Sequence, residues 1–306
     1  AYEKSGELLK QVSTVLGNLL SAETNDDMQE LAKSIMPLLS EHGNNITLNE
    51  KLFARIKAVY DQKDQANLTP EQNKLLEKVY NSFVRSGANL EGEAKEQYRA
   101  LSKELSLLTL QFGENNLKET NDYKLVLTDP AQLAGLPQSA IDAAAETAKE
   151  KGVEGWVFTL QAPSYSPFMT YASNRDLRCK LYMAYNTKCT HDNETNNLEI
   201  VKKLVNTRLA IAQLLGYNSF AEYNLQERMA ENSGNVYKLL DQLLDAYTPT
   251  AKQEYAEVEA LARQLEGSDF TVMPWDWSYY SHKLKDQKFQ IDDEMLRPYF
   301  ELSKVK

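Results

Sequence analysis

Glycine, proline and cysteine are scarce in this chain of 306 residues, which holds 12 glycines, 9 prolines and two cysteines. Glycine and proline together make up about 7% of the chain, against about 12% in average proteins. This scarcity argues against a collagen-like chain and against a β-sandwich rich in turns, and two cysteines cannot form a disulfide-rich scaffold. Leucine, alanine, glutamate, lysine and glutamine are instead frequent, which favours long helices.

Positive charge is also in short supply, because 34 lysines and arginines stand against 44 aspartates and glutamates, a formal net charge of −10. Proteins that bind the nucleic-acid backbone usually carry a basic face. No basic run or stripe is present, so we expect no nucleic-acid partner. No run of 18 apolar residues occurs either, so we expect no membrane span and no membrane partner.

The two cysteines are Cys179 and Cys189. If one helix contained both, they would lie about 15 Å apart along its axis. A disulfide requires Cα atoms within about 7 Å of each other, so we expect free thiols. Free thiols favour a reducing compartment, and we expect a cytoplasmic protein.

Apolar residues recur at helical spacing through the first part of the chain, beginning with residues 8–20. A second helix is expected to end at Gly43-Asn44-Asn45, whose residues tolerate positive φ. The strongest local signal is Thr69-Pro70-Glu71-Gln72, in which the threonine can cap a helix and the glutamine can complete a capping box. A long helix is then expected over residues 92–116.

The middle of the chain changes character. Residues 123–128 alternate around two leucines and residues 155–160 form a second predicted strand. The two strands could pair as a small ribbon, which must pack against helices because it would be marginal alone. Pro163-Ser164-Tyr165-Ser166-Pro167 predicts an exit rich in turns.

The predicted fold is therefore mostly α, a multi-helix array with one small β-ribbon in the middle. Three regions are expected. Residues 1–122 form an N-terminal helical region, residues 123–173 a short helix with the small ribbon, and residues 174–306 a second helical region.

Few residues suggest chemistry. The three histidines are His42, His191 and His282, and none lies in a His-Glu-x-x-His pair. Cys189 and His191 supply at most two metal ligands, whereas zinc needs three or four converging groups. No glycine-rich phosphate loop and no Gly-x-Ser-x-Gly motif is present. We therefore assign no catalytic residue and no metal ligand to this chain.

Two features remain open. Arg175 and Arg178 are three residues apart and share a helix face, so they could clamp an anion or carboxylate, or form a structural ion pair with an acid. Aromatic residues with polar edges follow a proline further on, and they could form a peptide-binding wall or an aromatic core at a helix junction. These aromatic residues are Trp275, Trp277, Tyr279 and Tyr280.

Three stretches of the sequence, here called blocks, match the pattern of a known protein family. The first is Pro167-Phe168-Met169-x-Tyr171-Ala172-x-Asn174-Arg175-x-Leu177-Arg178, and the second contains Leu214-Leu215-Gly216-Tyr217 and Ala221-Glu222-Tyr223. The third is Trp275-Asp276-Trp277-x-Tyr279-Tyr280-x-x-Lys283-Leu284, followed by Leu296-Arg297-Pro298-Tyr299-Phe300. In their order and spacing these blocks resemble the thimet oligopeptidase family of zinc metallopeptidases, on its bacterial dipeptidyl carboxypeptidase (peptidyl-dipeptidase) branch.

The resemblance implies a parent enzyme that holds zinc in a deep channel between two mostly helical lobes and hydrolyses short peptides. In this family the His-Glu-x-x-His helix and the third zinc ligand lie downstream of the last matched block, so none of them maps onto this chain. The chain begins inside a helical pattern and stops without a helix terminus. We therefore expect the N-terminal, non-catalytic portion of such an enzyme, inactive alone and binding no catalytic zinc.

On this interpretation the chain supplies part of the channel wall, and its partners are short peptides and the C-terminal catalytic portion of the same protein. Candidate residues for lining the channel or contacting substrate are Arg175, Arg178, Trp275, Trp277, Tyr279 and Tyr280. The alternative is a stand-alone helical module that binds another protein, which the helical layout and the acidic charge allow.

Overall fold

A computed structural model describes Tyr2, residues 5–289 and residues 293–304, without the side chains at 293, 294 and 297. Within these residues it contains twelve α-helices and one two-stranded sheet, which confirms the mostly α fold with a small ribbon. The helices are α1 (Glu7–Ala22), α2 (Asp26–Thr47), α3 (Glu50–Asp61), α4 (Pro70–Arg85), α5 (Gly92–Asp122), α6 (Gln138–Glu150), α7 (Ala162–Tyr171), α8 (Arg175–Asn186), α9 (Leu198–Leu214), α10 (Phe220–Leu225), α11 (Ser233–Glu266) and α12 (Trp277–Phe289).

The capping signal before α4 forms as the sequence predicts. The Gln72 amide donates to the Thr69 hydroxyl over 3.2 Å, and the Thr69 amide donates to the Gln72 side chain over 3.0 Å. Gly87 follows the helix with φ +83°, a conformation that a residue with a Cβ rarely adopts. Local sequence therefore defines both ends of this helix.

The predicted end of α2 at Gly43-Asn44-Asn45 is wrong, because the helix continues to Thr47. The Thr47 hydroxyl donates to the Gly43 carbonyl over 3.0 Å, and the Leu48 amide donates to the Asn44 carbonyl. Leu48 is only 3% exposed in a cluster with Tyr98. Its burial outweighs the low helix propensity of glycine and asparagine.

The ribbon consists of β1 (Leu125–Leu127) and β2 (Trp156–Phe158), which pair antiparallel with Leu125 opposite Phe158. Its leucines and Phe158 are buried in one cluster with residues of α7 and α8, including Phe168 and Leu181. The predicted packing of the ribbon against helices is thus confirmed.

The turn-rich exit predicted at Pro163-Ser164-Tyr165-Ser166-Pro167 is also wrong, because these residues lie in α7. Pro163 occupies the first turn, where a helix needs no amide donor. Pro167 lies further inside at a cost of about 3 kcal/mol. Complete burial of Phe168 next to it offsets that cost in part.

Contacts along the backbone divide the chain into two compact units. One contains residues 1–115 and 197–233, and the other contains residues 116–196 and 234–306. The first unit has a core around Phe53 and Phe83, and the second has its largest core around the ribbon. The three-region division along the sequence stays a prediction.

Both cysteines are free, but they do not share a helix, because α8 ends before Cys189. Among the described helices, none combines the length and apolarity that crossing a bilayer requires.

Candidate functional site

The candidate site lies in the second unit, where the start of α8 meets a short 3-10 helix, Pro274–Asp276. Asn174 caps α8 by accepting a hydrogen bond from the Leu177 amide over 3.1 Å. The cap places Arg175 and Arg178 one turn apart at the start of the helix. The 3-10 helix presents the Asp276 carboxylate, which accepts a hydrogen bond from the Met273 amide over 3.1 Å.

Arg178 is almost completely buried, with 1% of its surface exposed. Its Nη2 donates to Asp276 Oδ1 over 2.8 Å, and its Nη1 donates to the Ala172 carbonyl over 2.7 Å. Its Nε and Nη1 also donate to the carbonyls of Trp275 and Ser173, each over 3.3 Å. The guanidinium is therefore engaged on all three nitrogens by groups of this chain.

Arg175 approaches the same carboxylate from the previous turn. Its Nη2 lies 2.7 Å from Asp276 Oδ2, and its Nε lies 3.1 Å from both carboxylate oxygens. Nη2 also donates to the Thr271 carbonyl over 2.9 Å. The Arg175 side chain remains 40% exposed, so it forms the solvent-facing half of the cluster.

Aromatic rings cover both guanidinium groups. The Arg178 Cζ lies 4.1 Å from the ring centre of Tyr279, and the Arg175 Cζ lies 4.3 Å from that of Phe270. Such cation–π contacts add to the ion pairs where water is excluded. The cluster thus joins α8, the 3-10 helix and α12 through charge and ring contacts together.

The electrostatics of the cluster favour an ionised Asp276. Burial opposes ionisation, but the hydrogen bonds from Arg175, Arg178 and the Met273 amide outweigh it and lower the pKa of Asp276. The hydrogen bonds that Arg175 donates to Asp276 in turn raise the pKa of Arg175. The arrangement therefore remains charged at neutral pH and holds its elements together, and it contains no group poised for proton transfer.

The aromatic candidates divide by exposure. Tyr279 and Tyr280 are buried, and the Tyr280 hydroxyl lies 2.9 Å from a carboxylate oxygen of Glu266. Burial, with Glu266 beside it, raises the pKa of Tyr280. Trp275 is half-buried against Tyr182.

Trp277 behaves differently from its neighbours, because it is 39% exposed at the start of α12. Its ring stacks on Tyr255 of α11, with ring centres 5.8 Å apart and planes 8° from parallel. Among the aromatic candidates of the Trp-x-Trp block, this residue therefore presents the most accessible surface. Contact of the six candidates with a peptide stays a prediction.

Asp276 is the residue that sequence reasoning did not single out, although it lies inside the matched Trp-Asp-Trp block. An acid between two tryptophans is a signal of its own, because a carboxylate among aromatic residues needs a cationic partner. The two arginines that share a face of α8 are that partner. Of the two interpretations of the arginines, an anion clamp or a structural ion pair, the structure contains the ion pair.

The described residues do not provide a zinc site, since no three histidine, cysteine, aspartate or glutamate side chains among them converge as ligands. Cys189 and His191 both lie near Glu119, with the His191 Nε2 3.8 Å from its carboxylate. Burial together with Glu119 raises the pKa of the Cys189 thiol to about 11, so the thiol stays protonated. This group does not fit a zinc ion.

A cleft of about 400 Å³ lies elsewhere in the second unit, between α6 and the start of α7. The Ser164 hydroxyl on its wall accepts from the Thr159 amide over 2.9 Å, and the Gln161 side chain donates to Asn121 over 3.1 Å. The polar groups at this end of the cleft are therefore paired within the chain. None of the six candidate residues lines it.

Comparison with known proteins gives a family for part of the chain and relatives for all of it. Residues 168–306 match the model of peptidase family M3. The chain is 33% identical to dipeptidyl carboxypeptidase of Escherichia coli over 100% of its own length and 45% of that protein.

It is also 33% identical to oligopeptidase A of Escherichia coli, over 98% of this chain and 44% of that protein. Saccharolysin of Saccharomyces cerevisiae is 27% identical over 86% of this chain and 37% of that protein. The chain therefore spans less than half the length of these relatives.

Proposed function

We propose that this chain is the N-terminal part of a zinc-dependent oligopeptidase or dipeptidyl carboxypeptidase. The premise is that residues 168–306 match the model of peptidase family M3 and that the chain is similar over 98% or more of its length to bacterial dipeptidyl carboxypeptidase and oligopeptidase A. The substrates are short peptides, and the compartment is the cytoplasm. The observation that carries the proposal is homology over 100% of this chain to only 45% of a peptidase.

The catalytic zinc belongs to the portion of the parent protein outside residues 1–306. The described residues are consistent with this assignment, because no three histidine, cysteine, aspartate or glutamate side chains among them lie close enough together to hold a metal ion. The portion outside this chain then supplies the metal, its ligands and the general base, and residues 1–306 supply structure around them.

The role of this chain is to form part of the wall of the peptide channel. Trp277 is the residue best suited to contact a peptide, because it combines an exposed ring with a fixed position stacked on Tyr255. The buried Arg178–Asp276 pair positions Trp277, because it holds the 3-10 helix that directly precedes α12.

Zinc content tests where the metal is held. We expect stoichiometric zinc in the purified parent protein and none above background in residues 1–306, because three or four ligands must converge to hold it. Inductively coupled plasma mass spectrometry after dialysis measures both. Stoichiometric zinc in residues 1–306 alone would contradict the assignment.

Substitution of Trp277 tests the channel wall. In the parent protein, Trp277→Ala should raise KM for a short peptide about fivefold, equivalent to about 1 kcal/mol, with a smaller change in kcat. The control is Phe289→Ala, which removes another exposed aromatic residue at the far end of α12. Equal KM values for the two variants and the wild type would show that Trp277 does not contact the peptide.

A further inference from the structure

The first part of α11 is exposed around its whole circumference. Every residue from 233 to 256 is exposed except Val236 and Thr248, which are half-buried. This stretch rises about 36 Å. Burial begins only at Val258, Leu261 and Ala262, and the first and last of these pack in a cluster with residues of α12.

One face of this exposed stretch is apolar. Its members follow the i, i+3, i+4, i+7 spacing that places side chains on one side of a helix. Tyr237 is 65% exposed, Leu240 51%, Leu244 64% and Tyr247 66%. We call this face the α11 stripe, and it consists of Val236, Tyr237, Leu240, Leu243, Leu244 and Tyr247. The opposite face is polar and carries Lys238, Gln242, Asp245 and Lys252.

The energetics of this stretch call for a packing partner. Isolated helices are marginal in water, and most helical stability in proteins comes from packing of an apolar face. Pro249 lies inside α11 and removes a backbone hydrogen bond, at a cost of about 3 kcal/mol. Soluble monomers also rarely expose contiguous apolar patches of more than a few hundred Å².

We propose that the α11 stripe is the surface on which the remaining portion of the parent peptidase packs. This inference rests on the proposed function and names the contact surface between the two portions. The stripe lies within residues 168–306, the range that matches the M3 family model. The relatives contain more than twice the length that this chain spans, so a large partner segment belongs to the same polypeptide.

The apolar character of the stripe fits a permanent contact. Permanent interfaces resemble a domain core cut in half, whereas transient interfaces are more polar. Helix α1 also exposes apolar residues, including Leu8 and Val12, but it lies outside the range of the family match. The same argument therefore does not extend to α1.

Thiol labelling at one stripe position tests the proposal. Leu240→Cys places a thiol on the stripe, and Gln242→Cys places a matched thiol on the polar face half a turn away. Each variant is prepared in the parent protein and in residues 1–306 and is treated with a hydrophilic maleimide. Peptide-resolved mass spectrometry follows each site separately from the native Cys179 and Cys189.

We expect the thiol at position 240 to react at least about tenfold more slowly in the parent than in residues 1–306. In the parent, packing would let the maleimide reach the thiol only when the contact opens transiently. Position 242 should react at similar rates in both. Leu244→Cys repeats the measurement one turn further along and replaces Leu240→Cys if that variant does not fold.

Equal rates at position 240 in both proteins would overturn the proposal, even if the parent hydrolyses peptides. Protection in residues 1–306 that increases with protein concentration would also overturn it, since a second copy would then cover the stripe. A parent that is inactive on peptides would refute the proposed function, while the ratio of labelling rates would still decide the packing surface.

Discussion

At the scale of single residues, the Asp276 carboxylate is the centre of the candidate site, because two guanidinium groups and a backbone amide converge on it. The sequence predicts that Arg175 and Arg178 share a helix face, since they are three positions apart. Their partner lies about 100 residues further along the chain, and no local pattern links the two segments. The sequence therefore leaves the ion pair as one of two alternatives for the arginines and does not identify Asp276 as their partner.

Loss of the buried arginine should destabilise the fold strongly. Arg178→Met leaves Asp276 with Arg175 as its one cationic partner and removes the hydrogen bonds that Arg178 donates to the carbonyls of Ala172 and Trp275. We therefore expect a loss of about 3–5 kcal/mol in the free energy of unfolding. Urea unfolding of residues 1–306, followed by circular dichroism, measures it.

The control is Arg175→Met, which should cost less because the Arg175 side chain is 40% exposed and Asp276 keeps Arg178. A loss from Arg178→Met no larger than that from the control would show that the buried pair does not stabilise the second unit.

At the scale of elements, helix ends were predictable where a local motif is sufficient. The capping box at Thr69 and Gln72 and the glycine after α4 depend on neighbouring residues alone. The predictions for the C-terminal end of α2 and for the start of α7 are wrong, because burial of Leu48 and Phe168 overrides the preferences of glycine, asparagine and proline. Such burial depends on segments distant in sequence, which a local pattern does not contain.

The cap of α4 should contribute a measurable part of local stability. Thr69→Ala removes the side-chain acceptor of the Gln72 amide and should cost about 1 kcal/mol. Thr69→Ser keeps a hydroxyl and should cost much less. Denaturant midpoints of the two variants give the comparison, and equal midpoints would show that the capping box is dispensable.

At the scale of the whole molecule, each compact unit is assembled from two separate segments, with residues 116–196 inserted between the parts of the first. A division into consecutive regions cannot show this arrangement, because the composition of a segment does not indicate which other segment it packs against. The similarity to peptidase family M3 is nevertheless visible in the sequence, because it rests on the order and spacing of short blocks.

Peptide hydrolysis tests most directly our proposal that this chain is the non-catalytic portion of a peptidase. We expect the parent protein to cleave a short peptide, to lose activity with a zinc chelator and to regain it when zinc is restored. Residues 1–306 alone should cleave nothing under the same conditions. Cleavage by residues 1–306, or a parent that cleaves no peptide with zinc present, would contradict the account.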